Sequence, residues 1–179
     1  NAAQKAAIGR KIWQNECAGT VAGLTTWNAG EEFPSLGIGH FIWYPAGFNG
    51  RFEESWPQFV AFARKQGAQP PAVALERHSP WTTKAAFQKD FRGPRLSALR
   101  SWLAANVPLQ TDFIIARSQA ALPKILAAAP KSERDRIARN YQKVSASPQG
   151  TYALIDYVNF KGEGILVTGG GIIPPDDVE

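Results

Sequence analysis

The sequence predicts a mostly helical α+β domain, and three observations predict it. A helix-spaced apolar stripe runs through Ile8 and Ile12 to Glu16. The glycine-spaced run Ser35-Leu36-Gly37-Ile38-Gly39-His40 follows nineteen residues later. From Ser55 onward, apolar residues recur at helical spacing between caps and prolines. At 179 residues and 44% hydrophobic, the chain is long enough for one sizeable core and leaves little room for a second full domain.

In the first element, Ile8 and Ile12 place Glu16 at the edge of an apolar helix face. Partial desolvation and the negative end of the helix dipole both favour the protonated acid. A carboxylic acid that keeps its proton near neutral pH can donate it to a leaving oxygen. The segment Gly23-Leu24-Thr25-Thr26-Trp27-Asn28 reads as a turn leading into a hairpin. Gly37 and Gly39 read as a twisted or bulged strand that lets a polymer approach the backbone.

Past the hairpin, Ser55 is placed to cap a helix with Pro57 in its first turn and Phe59, Val60 and Ala63 on one face. Residues 67–80, with three prolines, read as a loop bordering a cleft. Thr82 or Thr83 opens a helix through Phe87 and Phe91, and 94–105 sets Leu96, Leu99, Trp102 and Leu103 at helical spacing. Asp112 is expected to cap a long apolar segment, 113–129, which Pro123 kinks or splits. Ser132 starts a charged amphipathic helix through Ile137, Tyr141 and Val144. The stretch 152–164 reads as a last helix whose end is stopped by Gly162, leaving Asn159, Lys161 and Glu163 near a turn. The tail, 165–179, is rich in Gly and Pro and reads as an edge strand or extended arm. Its three consecutive glycines lack the Lys-Ser or Lys-Thr of a nucleotide loop. The expected organisation is one domain over 1–164 and this tail.

The Glu16 helix, the turn at 23–28 and the run at 35–40 together resemble phage-type lysozymes of the lysozyme-like superfamily, over roughly residues 5 to 45. The resemblance implies a lysozyme-like fold with a small β-hairpin lobe and a helical lobe. It also implies a muramidase that cleaves the β-1,4 bond between N-acetylmuramic acid and N-acetylglucosamine in peptidoglycan, without metal or organic cofactor. By the same resemblance Glu16 matches the general acid, and Ser35 a hydroxyl residue, usually Thr, that positions the attacking water or the sugar. The family's second carboxylate, commonly an Asp between these points, falls in a longer loop here. Asn28 stands nearest by motif order, Glu31 and Glu32 are acidic substitutes, and Glu163 is a remote one. Hydrolysis with inversion needs two carboxyl groups about 6.5 to 9.5 Å apart. A single acid would instead fit a lytic transglycosylase, which forms an anhydro sugar. A chitosanase-like enzyme on deacetylated glycan is a further alternative. Asn28 in the acidic slot supports a non-enzymatic one, an inactive glycan-binding domain.

Six Trp, ten Phe and four Tyr supply aromatic surface on which sugar rings stack. Trp27, Phe41, Trp43 and Tyr44 flank the motif as candidates, although strand alternation sends about half of them inward. His40 is a candidate for substrate contact or for a structural hydrogen bond. In lysozyme-like folds a late helix returns to the cleft, so Asn159, Lys161 and Glu163 are candidates to bind sugar hydroxyls or stem carboxylates, or simply to cap and pair.

The net charge of +5 and pI near 9.5 favour anionic partners, which include peptidoglycan, teichoic acid, nucleic acid and membrane surfaces. The cations are scattered, as at Arg92, Arg95 and Arg100, or mixed with acids between Lys131 and Arg139, as on solvated helix faces. No zinc-finger spacing or recognition-helix signature appears, so nucleic acid is not the expected partner. No run of eighteen apolar residues exists to span a membrane. Cys17 is the only cysteine, which excludes an internal disulfide and a cysteine-rich metal site. It reads as a small buried residue. A start at Asn1 and the absence of Met fit a processed or truncated chain. The inferred substrate places the protein in the periplasm or outside the cell, acting as a monomer.

Overall fold

The structure, a computed structural model, describes residues 2–160. The fold is α+β and mostly helical, with seven α-helices and one three-stranded antiparallel sheet among the described residues. Two compact units divide the chain, Asn1–Phe113 and Ile114–Glu179, and the boundary falls inside a helix.

The first unit opens with α1, Ala2–Cys17, which buries Ile8, Gly9, Ile12 and Cys17 along the stripe the sequence sets out. Gly9 sits where Thr111 approaches so closely that an added Cβ would collide with its hydroxyl. A short 3-10 turn at Ala22–Leu24 leads into β1 (Thr25–Thr26), which pairs with β2 (Ser35–Leu36), which pairs in turn with β3 (Phe41–Ile42). The register sets Thr26 opposite Ser35 and Ser35 opposite Ile42. Residues 37–40 are therefore not a glycine-spaced strand but the tight turn between β2 and β3. Gly37 adopts φ +72° and His40 φ +47°, the left-handed conformation that a reversal needs and an extended strand does not.

The helix α2 is Trp56–Lys65, with Pro57 in its first turn and Phe59, Val60 and Ala63 buried. Ser55 precedes it but makes no cap with its side chain. Its hydroxyl accepts the Ile42 N–H at 2.9 Å, tying the helix start to β3. The 67–80 segment contains a 3-10 turn at Ala72–Leu75, and Ser79 donates its N–H to the Tyr44 carbonyl at 3.0 Å. The next helix, α3, is Lys84–Lys89. Phe91 lies beyond its end, and Thr83 caps it through the Ala86 N–H at 3.1 Å. Replacing Thr83 with Ala is expected to cost about 1 kcal/mol, read as a lowered urea midpoint with unchanged slope.

The helix α4 is Pro94–Ala105, burying Leu96, Leu99 and Leu103. At Val107–Ala128, α5 begins well before Asp112. Pro108 supplies the start signal, because a proline in the first turn forfeits no helical hydrogen bond. Asp112 is inside the helix and pairs with Lys5 at 2.7 Å instead of capping. Pro123 lies within α5 without dividing it. In the second unit, α6 is Lys131–Ser145 and α7 is Pro148–Phe160, four residues longer at its start than the apolar pattern because Pro148 begins it. Within that unit Tyr141 donates its hydroxyl to the Ser118 carbonyl at 3.1 Å.

The core of the first unit is aromatic. Phe41 stacks on Phe59 at 4.6 Å between centroids, and Trp43 lies 5.5 Å from Trp56 and 6.2 Å, edge-on, from Trp81.

Candidate active site

The last turn of α1 carries Glu16, which is half-buried, followed by buried Cys17. The helix ends through left-handed Ala18 and Gly19, whose N–H returns to the Trp13 carbonyl at 3.1 Å. Three bonds then hold the 37–40 turn to this end of the unit. His40 Nε2 lies 3.0 Å from the Glu16 carbonyl, so that nitrogen carries the ring proton and donates it. Cys17 Sγ donates to the Gly37 carbonyl at 3.8 Å, and Gly37 donates its N–H to the Leu24 carbonyl at 2.7 Å. His40 thus serves as a structural hydrogen-bond partner of the Glu16 backbone, one of the two roles open to it.

A fourth bond comes from a residue the motif does not include. Gln110, fully buried at the start of α5, accepts the Ile38 N–H on Oε1 at 2.9 Å and donates from Nε2 to the Leu103 carbonyl at 2.7 Å. Its only sequence signal is a lone amide in the apolar stretch that opens α5, where a polar side chain must find partners to be buried.

Burial and the neighbouring negative charge of Glu16 push the Cys17 thiol up to about 12 from the ordinary 9.0. The neutral thiol is the form the fold accommodates, so Cys17 is no nucleophile at physiological pH. Up to about pH 9 folded and unfolded thiols are both protonated. Above that the unfolded chain ionises first, so this contribution to stability falls between pH 9 and about 12. Iodoacetamide at pH 8.5 is expected to leave Cys17 unmodified in the folded protein and to alkylate it in urea, as read by intact mass.

The acidic loop after β1 is ordered by its own side chains. Asn28 Nδ2 donates to Glu31 Oε2 at 3.0 Å, and the Trp27 indole donates to the Glu31 carbonyl at 2.7 Å. Glu31 is half-buried and Glu32 exposed. Asn28 therefore holds a carboxylate rather than supplying one. Ser35 is 4% exposed in the middle strand, where its carbonyl accepts the Thr26 hydroxyl at 3.1 Å.

Beside β1 lies an open cleft of about 420 Å³, lined among others by Thr25, Thr26, Trp27, Asn28, Phe87 and Phe91. Of the aromatic residues flanking the motif, Trp27 reaches this wall. Phe41 and Trp43 are wholly buried, and Tyr44, 6% exposed, packs its ring edge on Phe33 and Phe48 while donating its hydroxyl to the Phe52 carbonyl. Trp43 and Tyr44 are thus core residues, not sugar platforms, because Trp56 and Trp81 pack on the one ring and Phe33 and Phe48 on the other.

Arg100 also departs from the solvated face expected of it. It is half-buried, donates from Nε to the Thr25 hydroxyl at 2.9 Å and from a terminal nitrogen to the Phe91 carbonyl at 2.8 Å, and lies 4.0 Å over the Phe91 ring. Burial lowers its pKa from the usual 12.5.

Asn159 is in α7, while Lys161, Glu163, Gly162 and the 165–179 tail lie outside the described residues. Among the described residues no three His, Cys, Asp or Glu side chains gather as a metal site would require, and no helix is long and apolar enough to cross a membrane. No protein-family model, curated protein or solved structure gives a significant match to this chain.

Proposed function

We propose that this protein is a glycoside hydrolase of bacterial cell walls that cleaves the β-1,4 bond between N-acetylmuramic acid and N-acetylglucosamine. The observation that carries the reading is Glu16, half-buried in the last turn of α1 and held by its own carbonyl to His40 of the 37–40 turn. A general acid must carry its proton when the substrate binds. Glu16 would protonate the glycosidic oxygen as the bond to the anomeric carbon breaks with oxocarbenium character. Glu31, its carboxylate oriented by Asn28, is the candidate second group, which would take a proton from the attacking water. Ser35 is too buried to be the first choice for that contact. The net charge of +5 favours an anionic polymer such as peptidoglycan over a cationic, deacetylated one.

Digestion of purified sacculi by the protein and its Glu16→Gln variant, with fragments identified by mass spectrometry, tests the reading. Reducing-end muropeptides that vanish in the variant are the expected result. Anhydro ends would make the protein a lytic transglycosylase working with Glu16 alone. Binding without products would make it a glycan-binding domain.

A further inference from the structure

The second unit carries a cavity of its own. Ile115, Ser118 and Gln119 share one face of α5, Tyr141 and Ser145 one face of α6, and Thr151, Leu154 and Ile155 one face of α7, because residues three and four apart line up on a helix. Among them lies a space of about 240 Å³ that these side chains line. A cavity of about 150 Å³ already admits a benzene ring. This one has room for a ring with a polar head.

The hydroxyls on its wall are of two kinds. Tyr141 donates its hydroxyl proton to the Ser118 carbonyl, Ser145 to the Gln142 carbonyl and Thr151 to the Ser145 carbonyl, each at 3.1 Å. A hydroxyl has one proton, so what these three keep for a ligand is oxygen lone pairs. Ser118 differs. It is 4% exposed, and among the described residues its hydroxyl forms no hydrogen bond, so it keeps both its proton and its lone pairs. A buried hydroxyl is normally bonded, and here a ligand can supply the partner that the fold does not. Ile115, Leu154 and Ile155 give the apolar part of the wall. None of the named lining residues is charged at neutral pH, so an ion drawn into the cavity would find no countercharge there.

We infer that this cavity binds a small neutral carboxamide with an apolar body. The amide carbonyl accepts from the Ser118 hydroxyl, its N–H groups donate to the spent hydroxyls around it, and the body packs against Ile115, Leu154 and Ile155. The inference stands apart from the proposed function, because Glu16, Glu31 and Ser35 are not among the residues that line the cavity.

Titration of the full chain with benzamide, methyl benzoate, benzoate and benzamidinium, followed by amide chemical shifts, tests it. The four share a ring and differ in donors and charge. Benzamide is expected to give saturable shifts at Ser118, Thr151 and Leu154, and to bind about fivefold or more tighter than methyl benzoate, which keeps the carbonyl and has no N–H. The two ions are expected to bind more weakly than benzamide. Ser118→Ala removes the hydroxyl alone and is expected to weaken benzamide severalfold. Gln119→Trp, a change at an exposed rim position, is expected to block it. No saturable shifts, shifts confined to residues away from the cavity, methyl benzoate or either ion binding as tightly as benzamide, or either variant binding benzamide as the native chain does would each overturn the inference. The comparison of the four ligands is made on the native chain and needs no variant to fold. Cleavage of sacculi is read separately, so its absence removes the proposed function alone, and a cavity that takes no benzamide removes this inference alone.

Discussion

Glu16→Gln is expected to lower the rate of glycan cleavage by at least about 10²- to 10⁴-fold while leaving binding to sacculi within about twofold of the native protein. The range is that of removing a positioned general acid. The amide is nearly isosteric with the protonated carboxyl, but it has no proton to transfer to the leaving oxygen. The bond from His40 to the Glu16 backbone carbonyl does not depend on the group that is changed. A thermal midpoint close to native would show that the fold is kept. Glu31→Gln separates the roles of the two acids. If Glu31 activates water, its loss should also remove hydrolysis, and azide, which needs no base, should restore turnover in that variant but not in Glu16→Gln. Lysis that survives in Glu16→Gln would remove Glu16 from the chemistry altogether.

Much of the helical frame is legible in the sequence because its signals are local. The 94–105 helix is bounded by a first-turn proline and a polar Asn106, and α2 follows from Pro57 and the 59-60-63 spacing. Where two local signals compete, the reading slips. Asp112 looks like a cap, but Pro108 starts α5 earlier and leaves Asp112 to pair with Lys5. The turn at 37–40 is harder, because glycines at alternate positions fit both a bulged strand and a reversal. Only the pairing of Leu36 with Phe41 decides it. The candidate site is legible only in part for the same reason. Glu16 and the 37–40 run are close in sequence, and their association can be anticipated. The partners that fix them are not close. Gln110 reaches the turn across 72 positions, and Arg100 reaches Thr25 across 75. Burial of Trp43 and Tyr44 depends on what packs over them, which strand alternation alone does not specify.

That long-range dependence makes Gln110→Ala the substitution with the largest expected effect on stability. The side chain is fully buried, and its removal leaves the Ile38 N–H without its acceptor, while the Leu103 carbonyl keeps only the Asn106 N–H. An orphaned buried polar group costs about 1 to 3 kcal/mol, and the space left behind adds to it, so a loss of about 3 to 4 kcal/mol is expected. For a chain of this length that corresponds to a midpoint lowered by roughly 6 to 16 °C. Gly37→Ala attacks the same contact from the other side. Its methyl group would collide with Gln110 Oε1 and lie 3.2 Å from the Phe41 ring, at a backbone φ of +72° that costs a further 1 to 2 kcal/mol or so. The two costs should not add. With Gln110 already shortened, the collision disappears and only the backbone and Phe41 terms remain, so the double variant is expected to be more stable than the sum of the singles by at least about 1 kcal/mol. Strict additivity would mean that Gln110 does not hold the turn. Because the turn is also bonded to the Glu16 carbonyl through His40, the same variants should lose cleavage activity below their melting temperatures. A destabilised but fully active Gln110→Ala would separate the stability of the fold from the placement of the acid.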